Sequence, residues 1–148
     1  MLPRSINNEI LDFLSECGAN NQDFINKCER YKKILLEENL KYNLTAIKNE
    51  DEFWVKHVCD SAAIFRENRG LFAPSSKVCD IGSGAGFPAA IIASACDSTV
   101  YAVESSRKKA EFIKKIACEL NLKNLIVLHC RAEELNKKNE YKSFFNII

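Results

Sequence analysis

Apolar residues recur at intervals of three and four over the first 70 positions, which is the spacing of helices that bury one face. The pattern predicts three helices, with N-terminal caps at Ser5, at Asn21 and near Asn49. The buried stripe of the second is Phe24, Cys28, Tyr31 and Leu35, and that of the third is Trp54, Val58, Ala62 and Phe65. We therefore expect residues 1–70 to form an N-terminal helical region.

Beyond residue 70 the pattern changes to short apolar runs that alternate with helical segments. Strands are predicted over residues 77–81, 99–103 and 125–130, and a fourth begins at 144–148. The helices that separate them cover residues 88–96, 106–121 and 132–135. Such alternation is typical of right-handed crossovers and a parallel sheet. We expect an α/β fold, with residues 71–148 as the sheet portion and the helical region packed on it in one structural domain.

Composition and charge fit an ordinary globular protein and do not by themselves indicate a partner. The 148 residues are 47% hydrophobic and 28% charged, with a net charge of +1. Residues 76–148 carry 11 basic and 8 acidic side chains, against 10 and 12 in residues 1–75. A solvated surface explains this mild asymmetry as well as an RNA partner does.

Cysteine and histidine usage bears on compartment and metal binding. The seven cysteines are scattered singly without a C-x-x-C pair, as expected for reduced and mostly buried thiols. With two histidines in the chain, no metal site is expected. No apolar run approaches the length of a membrane span and no signal peptide is evident, so we expect a cytoplasmic protein with no membrane contact.

The most informative stretch is a predicted strand that runs into a glycine-rich loop. Asp80 stands at the carboxyl end of the strand, where open α/β sheets bind their ligands. Gly82, Gly84 and Gly86 follow at every second position, where they permit positive φ and leave no Cβ to block a ligand. Pro88 suits the first turn of the next helix, because its missing N–H needs no partner there. These features predict a cofactor-binding loop.

The spacing of the loop distinguishes between cofactors. Dinucleotide folds use G-x-G-x-x-G, whereas here the third glycine comes one residue early and an acid precedes the first. The pattern D-x-G-x-G-x-G resembles the S-adenosylmethionine loop of class I methyltransferases. One alternative is a glycine-rich turn in some other α/β protein. Another is a nicotinamide-dependent oxidoreductase domain, against which the early third glycine argues.

Acidic residues follow the second and third predicted strands. Glu104 lies 22 residues beyond Gly82, at the tip of the second strand, where a carboxylate can accept both hydroxyls of a ribose. The alternative is a surface glutamate before a helix. Glu133 and Glu134 follow the third strand, where an adenine edge would lie, although such a pair also marks the start of a helix.

A hydrolase-like grouping lies on the third helix. His57, Asp60 and Ser61 share one helix face, but a catalytic triad needs a nucleophile on an exposed turn and an oxyanion hole, which a helix face does not supply. We expect a hydrogen-bonded helix face instead.

Two further features are open to an RNA-binding interpretation. Tyr42 and Trp54 could stack on bases, though aromatic core residues are commoner. The second helix carries basic residues that we expect to form a solvated face rather than an RNA contact: Lys27, Arg30, Lys32 and Lys33.

Four motifs in order resemble the bacterial glucose-inhibited division protein B family, the 16S ribosomal RNA guanine-N7 methyltransferases. They are Tyr42-Asn43-Leu44-Thr45, His57-x-x-Asp60-Ser61, the loop from Asp80 to Pro88 with its Gly-Ala-Gly-Phe-Pro ending, and Arg131-Ala132-Glu133-Glu134. The resemblance covers nearly the whole chain. It implies a Rossmann-like class I methyltransferase fold, S-adenosylmethionine as cofactor, and 16S ribosomal RNA as partner, within the small ribosomal subunit.

The resemblance also implies which residues hold the cofactor. Gly82 and Phe87 would lie against its methionine and ribose portion, Glu104 would bind the ribose, and Ala132 with Glu133 would read the adenine. The full set of implied cofactor-binding residues is Asp80, Gly82, Ser83, Gly84, Gly86, Phe87, Glu104, Ala132 and Glu133. No catalytic residue is assigned, and a monomer is the default expectation.

The chain departs from the family at its last residues. Members of the family continue the fourth strand into a stretch whose arginine serves the active site, whereas this sequence stops at Phe145-Asn146-Ile147-Ile148. Because four of the seven expected strands are predicted, we expect a truncated product or fragment whose last strand is an exposed apolar edge. A remnant that binds cofactor or RNA without catalysis is the alternative.

Overall fold

The N-terminal helices of the computed structural model follow the predicted stripes. The structure describes residues 7–19, 21–47 and 49–148. The predicted cap Ser5 lies outside these residues, and helix α1 (Asn8–Glu16) is capped by Asn7, whose side chain accepts from the N–H of Ile10 at 2.9 Å. Helix α2 (Gln22–Tyr42) begins at the predicted cap Asn21, and its predicted stripe is buried.

The third helical region is more irregular than its sequence pattern predicts. Helix α3 (Glu50–Glu52), capped by Asn49, leads into a π-helical segment (Phe53–Cys59) and then into α4 (Asp60–Ala62). Helix α5 (Phe65–Asn68) and a 3₁₀ turn (Arg69–Leu71) complete the region. The predicted stripe is buried along its whole length. The wide π-helical turn is unpredicted, because apolar spacing does not separate it from an α-helix.

A parallel sheet follows, as predicted. Its strands are β1 (Lys77–Ile81), β2 (Thr99–Glu104) and β3 (Leu125–His129), in the order β1-β2-β3, with Lys77 opposite Thr99 and Val100 opposite Leu125. Helices α6 (Ala89–Ala95) and α7 (Arg107–Glu119) are the two crossovers. After β3 come α8 (Ala132–Lys137) and a 3₁₀ turn (Asn139–Tyr141).

The predicted fourth strand over residues 144–148 is wrong in extent. Ile147 forms a single parallel bridge with Val78, on the edge of β1 away from β2. Ser143, immediately before this segment, has a φ of 53°. The rings of Phe144 and Phe145 pack on Tyr101 of β2, with centroids 5.5 and 5.3 Å away. Pairing with β1 is confined to residues 146 and 147, where the N–H of Asn146 donates to the carbonyl of Lys77 at 2.8 Å and the N–H of Cys79 donates to the carbonyl of Ile147 at 2.9 Å.

The core lies on both faces of the sheet and is larger on one. Alternate residues of the strands, such as Val78, Val100 and Ala102, join α6, α7 and the N-terminal helices in the main core. The opposite face forms a smaller cluster of Cys79, Val103 and Leu135 with the segment after α8. All seven cysteines are free thiols; three are buried and Cys118 is exposed. Within the described ranges, no helix is long and apolar enough to cross a bilayer.

Candidate cofactor site

A cleft of about 300 Å³ lies at the carboxyl ends of the three strands, at the low end of the range for small-molecule sites. Its walls come from β1, from β2 and from the segments that follow each of the three strands: Ile81, Gly82, Val103, Ser105, Cys130, Arg131, Ala132 and Glu133. Gly82, Ala132 and Glu133 were predicted to bind cofactor. The position agrees with the general rule that open α/β sheets bind ligands beyond the carboxyl ends of their strands.

Glu104 joins the loop after β1 to the turn after β2. One carboxylate oxygen accepts from the N–H of Gly84 at 2.8 Å, and the other accepts from the N–H of Ser106 at 2.7 Å. The residue is 7% exposed, so it is not the surface glutamate of the alternative interpretation. Because both oxygens are fixed by backbone donors, the carboxylate is held in one orientation beside the cleft.

Asp80 and Ser83 stabilise the two ends of the loop from within. One oxygen of the Asp80 carboxylate accepts from the N–H of Ala89 at the start of α6, at 3.2 Å. The hydroxyl of Ser83 donates to the backbone carbonyl of Asp80 at 3.1 Å, and the residue is buried. Burial raises the pKa of Asp80 above its ordinary value, while hydrogen bonds from Ser83 and Ala89 oppose the rise.

The first and third glycines of the loop meet different surroundings. Gly82 has a φ of +77°, and a Cβ placed on it meets no atom of the described residues within 4 Å, so its side is open. Gly86 has a φ of +98°, and a Cβ there would lie 2.5 Å from the hydroxyl oxygen of Tyr31. Gly82 thus borders the cleft, whereas Gly86 allows α2 to approach the loop closely.

The aromatic residue of the loop is enclosed between two other rings. Phe87 stacks on His57, with centroids 3.9 Å apart and planes within 2° of parallel, and on Tyr31, with centroids 4.8 Å apart and planes within 9°. The Tyr31 hydroxyl donates to the backbone carbonyl of Ala85 in the same loop. Both faces of the Phe87 ring are therefore covered by other side chains, and Phe87 is not among the residues that line the cleft.

The expected hydrogen-bonded helix face of His57, Asp60 and Ser61 is supported at His57, whose partner lies outside the helix. His57 Nε2 lies 3.1 Å from the hydroxyl of Thr45, which belongs to the Tyr42–Thr45 motif. Ser61 is buried and Asp60 is exposed, so the three side chains do not share one environment. Burial lowers the pKa of His57, and Asp60 and the backbone of Lys56 act in the opposite direction.

The aromatic residues proposed for base stacking have separate positions. Trp54 is fully buried and its indole N–H donates to Glu29 at 3.1 Å, so the base-stacking hypothesis is wrong for this residue. Tyr42 is 51% exposed at the end of α2, with the ammonium of Lys108 5.6 Å from its ring centre.

The basic residues of α2 are largely paired with acids. Lys27 pairs with Asp23 at 2.6 Å, and Arg30 pairs with Glu119 of α7. Lys32 is buried and pairs with both Glu29 and Glu50 at 2.9 Å. The expected solvated face is therefore wrong for Lys32, which is buried, whereas Arg30 and Lys33 are exposed as expected.

Several residues of the site were not anticipated. Arg131 and Cys130 line the cleft beside the predicted Ala132, and their position after β3 is the signal that could have identified them. The sequence pattern identified Tyr31 as a core residue of α2 but not as a partner of the loop. Helical spacing does not reveal a hydrogen-bond partner 54 residues away, which here is the carbonyl of Ala85. Of the acidic pair, Glu133 lines the cleft, while Glu134 accepts from the N–H of Arg131 at 3.4 Å and caps α8.

The residues present fit a nucleoside cofactor. Glu104 offers a fixed and buried carboxylate, and each of its oxygens retains acceptor capacity beyond one backbone bond. Gly82 leaves the space that a side chain would fill, and Ala132 presents a small side chain to the same cleft.

Comparison with known proteins agrees with this architecture. The family model described as rRNA small subunit methyltransferase G matches residues 24–145. Relatives named ribosomal RNA small subunit methyltransferase G occur in Mycoplasma capricolum, with 41% identity over 129 residues, in Mycoplasma mycoides, with 40% over 122, and in Prochlorococcus marinus, with 36% over 149.

The extent of these matches differs between relatives. They cover 86%, 82% and 99% of this chain, respectively. The chain spans about half the length of the M. capricolum protein (53%), 60% of the P. marinus protein and 87% of the M. mycoides protein. Because the family model matches more than four-fifths of the sequence, the chain belongs to the rRNA small subunit methyltransferase G family.

Proposed function

We propose that this chain serves as an S-adenosylmethionine-dependent methyltransferase that acts on N7 of a guanine in 16S ribosomal RNA. The observation that carries the proposal is the bond between Glu104 and Gly84. This bond joins a buried acid to the glycine loop, whose Gly82 lines the cleft, in a member of an rRNA methyltransferase family.

Different residues around the cleft would bind different parts of the cofactor. The Glu104 carboxylate would accept the ribose hydroxyls, because it is buried and already oriented by two backbone donors. Gly82 would allow the backbone to lie against the methionine portion, and Ala132 with Glu133 would contact the adenine. Asp80, Ser83, Gly84 and Gly86 would keep the loop in shape, each through contacts inside the protein.

The proposed reaction does not require an ionisable side chain as a general acid or base. The cofactor supplies a methyl group on a positively charged sulfur. Guanine N7 carries a free lone pair, so no base is needed to deprotonate it, and we assign no general base. This chain would contribute by positioning the reacting groups and excluding water. Carboxylates at Asp80 and Glu104 would favour a positively charged ligand, since opposite charges attract more strongly away from bulk water.

The acceptor would be a guanine within folded ribosomal RNA of the small subunit. The names of the relatives support ribosomal RNA as the class of substrate. Folded RNA is recognised mainly through its shape, its phosphates and its unpaired bases. The net charge of +1 gives little general attraction to RNA, so we expect a local contact surface rather than an overall charge effect.

Methyl transfer to small ribosomal subunits that lack the modification tests this function. The chain is incubated with tritiated S-adenosylmethionine and such subunits, and digested RNA is examined for N7-methylguanosine. Gly84→Val should abolish transfer, since Gly84 has a φ of +57° and donates to Glu104. Gly70→Val is the matched control, because a Cβ there meets no described atom within 4 Å and its φ is not positive. Cofactor binding without transfer would support the binding-only alternative.

A further inference from the structure

We propose that His57 is a positioning residue that holds Phe87, and with it the glycine loop, in the conformation that binds cofactor. The proposal rests on the proposed function, because it concerns the affinity of the same cleft. It assigns a role to the His57-x-x-Asp60-Ser61 motif, which the cleft itself does not use. The N-terminal helices would then control the site without contacting the ligand.

The geometry around Phe87 supports this role. His57 covers one face of the Phe87 ring and Tyr31 covers the other, at centroid distances of 3.9 and 4.8 Å. We call the three side chains the ring stack. The N–H of Phe87 donates to the carbonyl of Ser83 at 3.0 Å, which closes the loop. A ring held on both faces therefore fixes the end of the loop that begins at Gly82.

His57 is itself held by a separate part of the chain. Its Nε2 lies 3.1 Å from the hydroxyl of Thr45, and the same hydroxyl accepts from the N–H of Ile47 at 3.3 Å. The N–H of Thr45 donates to the buried side chain of Asn39 on α2, at 2.9 Å. A continuous path of hydrogen bonds and ring contacts therefore leads from α2 through Thr45 and His57 to Phe87.

The local backbone is unusual at the same place. His57 lies within the π-helical segment, and such segments are rare and often occur at functional sites. Its neighbour Phe53 packs edge-to-face on Phe87, with centroids 6.0 Å apart. Burial alone would be satisfied by any apolar ring, whereas the imidazole adds a hydrogen bond that fixes its orientation toward the loop.

A set of three variants separates positioning from packing. His57→Ala removes the ring, His57→Phe keeps a ring but loses the bond to Thr45, and Val55→Ala changes an exposed residue of the same π-helical segment. Each is titrated with S-adenosylmethionine and S-adenosylhomocysteine by calorimetry and unfolded in urea. Amide hydrogen exchange of residues 82–87 is measured without ligand.

We expect His57→Ala to weaken both ligands by about tenfold, a ratio equivalent to about 1.4 kcal/mol. This loss of affinity should remain after correction for the fraction of His57→Ala that is unfolded. His57→Phe keeps the ring contact but loses the bond to Thr45, so its affinity should lie between those of His57→Ala and the unsubstituted chain, and Val55→Ala should leave the affinity unchanged. Exchange should become faster at Gly86 and Phe87 in His57→Ala, with α7 unaffected.

Equal affinity and equal loop exchange in His57→Ala and Val55→Ala would overturn the proposal. So would an affinity loss that disappears once the unfolded fraction is subtracted. If His57→Ala does not fold, Thr45→Val keeps all three rings and should still weaken binding, and unchanged binding would contradict the role. If the unsubstituted chain binds neither ligand, the proposed function fails, while loop exchange still decides whether His57 positions the loop.

Discussion

The carboxylate of Glu104 accepts a hydrogen bond from the backbone N–H of Gly84 across 2.8 Å, although the two residues are 20 positions apart. This bond makes the acid at the end of β2 and the loop after β1 one structural unit. The second oxygen of Glu104 is bonded to the N–H of Ser106. The acid therefore shapes the loop, and under the proposed function it would also bind the ribose.

Replacing Glu104 should affect stability and binding together. Glu104→Ala leaves two half-buried N–H groups without their acceptor and should lower the free energy of unfolding by about 3 kcal/mol. Glu104→Gln keeps one acceptor oxygen and should cost about half of that, while weakening S-adenosylmethionine at least about tenfold. Urea unfolding and calorimetry measure the two effects. Glu140→Gln, at an exposed position, is the control, and unchanged affinity in Glu104→Gln would contradict a role in binding.

Gly86→Ala should destabilise the fold through a specific clash with α2. The new Cβ would lie 2.5 Å from the Tyr31 hydroxyl, at a backbone φ of +98°, so we expect a loss of about 3 kcal/mol. Tyr31→Phe removes that oxygen and should return about 1 kcal/mol in the double variant. Urea unfolding of the two single variants and the double variant gives the coupling energy. Strictly additive effects would show that the hydroxyl is not what Gly86 accommodates.

Gly82→Ala should weaken cofactor binding more than it lowers the free energy of unfolding. A methyl group there meets no atom of the described chain within 4 Å, so only the left-handed backbone strains it, at a cost of about 1–2 kcal/mol. The methyl group points into open space at the cleft, and cofactor affinity should fall by more than stability does. Gly70→Ala, without positive φ, should change neither by more than about 0.5 kcal/mol. Full affinity in Gly82→Ala would place the ligand elsewhere.

The stability of the fold should depend on the protonation of His57. Burial lowers the pKa of this imidazole, against the opposing effects of Asp60 and the Lys56 backbone, so the folded state favours the neutral ring. The contribution of the neutral His57 ring to the free energy of unfolding is fully present above the ordinary histidine pKa of about 6.5. It is lost as the pH falls through the lower pKa that His57 has in the folded state. The Tm of the unsubstituted chain should therefore fall more steeply below about pH 6.5 than that of His57→Phe. Parallel curves would contradict this assignment.

Local sequence patterns were sufficient to predict the parallel sheet and the position of the cleft. The glycine spacing, the acid Glu104 and the residues after β3 each lie at the end of a predicted strand, and parallel strands bring those ends together. The buried stripes of α2 and of the third helical region were likewise readable, because each follows helical periodicity along a continuous segment.

Contacts between distant segments were not predictable in the same way. The ring stack brings together Tyr31, His57 and Phe87 from three separate segments. The local sequence accounts for each residue singly, as a core residue, a polar helix residue and a loop residue, and so does not indicate that their rings meet. The fourth strand was overestimated because the apolar composition of 144–148 does not show which residues pair: Ile147 pairs with Val78, whereas the rings of Phe144 and Phe145 contact Tyr101. In both cases the partners lie outside the local segment.

A calorimetric titration tests the central claim, a site for S-adenosylmethionine at the carboxyl ends of the three strands, most directly. The unsubstituted chain, Gly84→Val and the control Gly70→Val are each titrated with S-adenosylmethionine and, separately, with NADH. We predict that the unsubstituted chain and the control bind one equivalent of S-adenosylmethionine, that Gly84→Val does not, and that NADH gives no heat of binding. Binding of NADH in place of S-adenosylmethionine, or undiminished binding by a folded Gly84→Val variant, would contradict the claim.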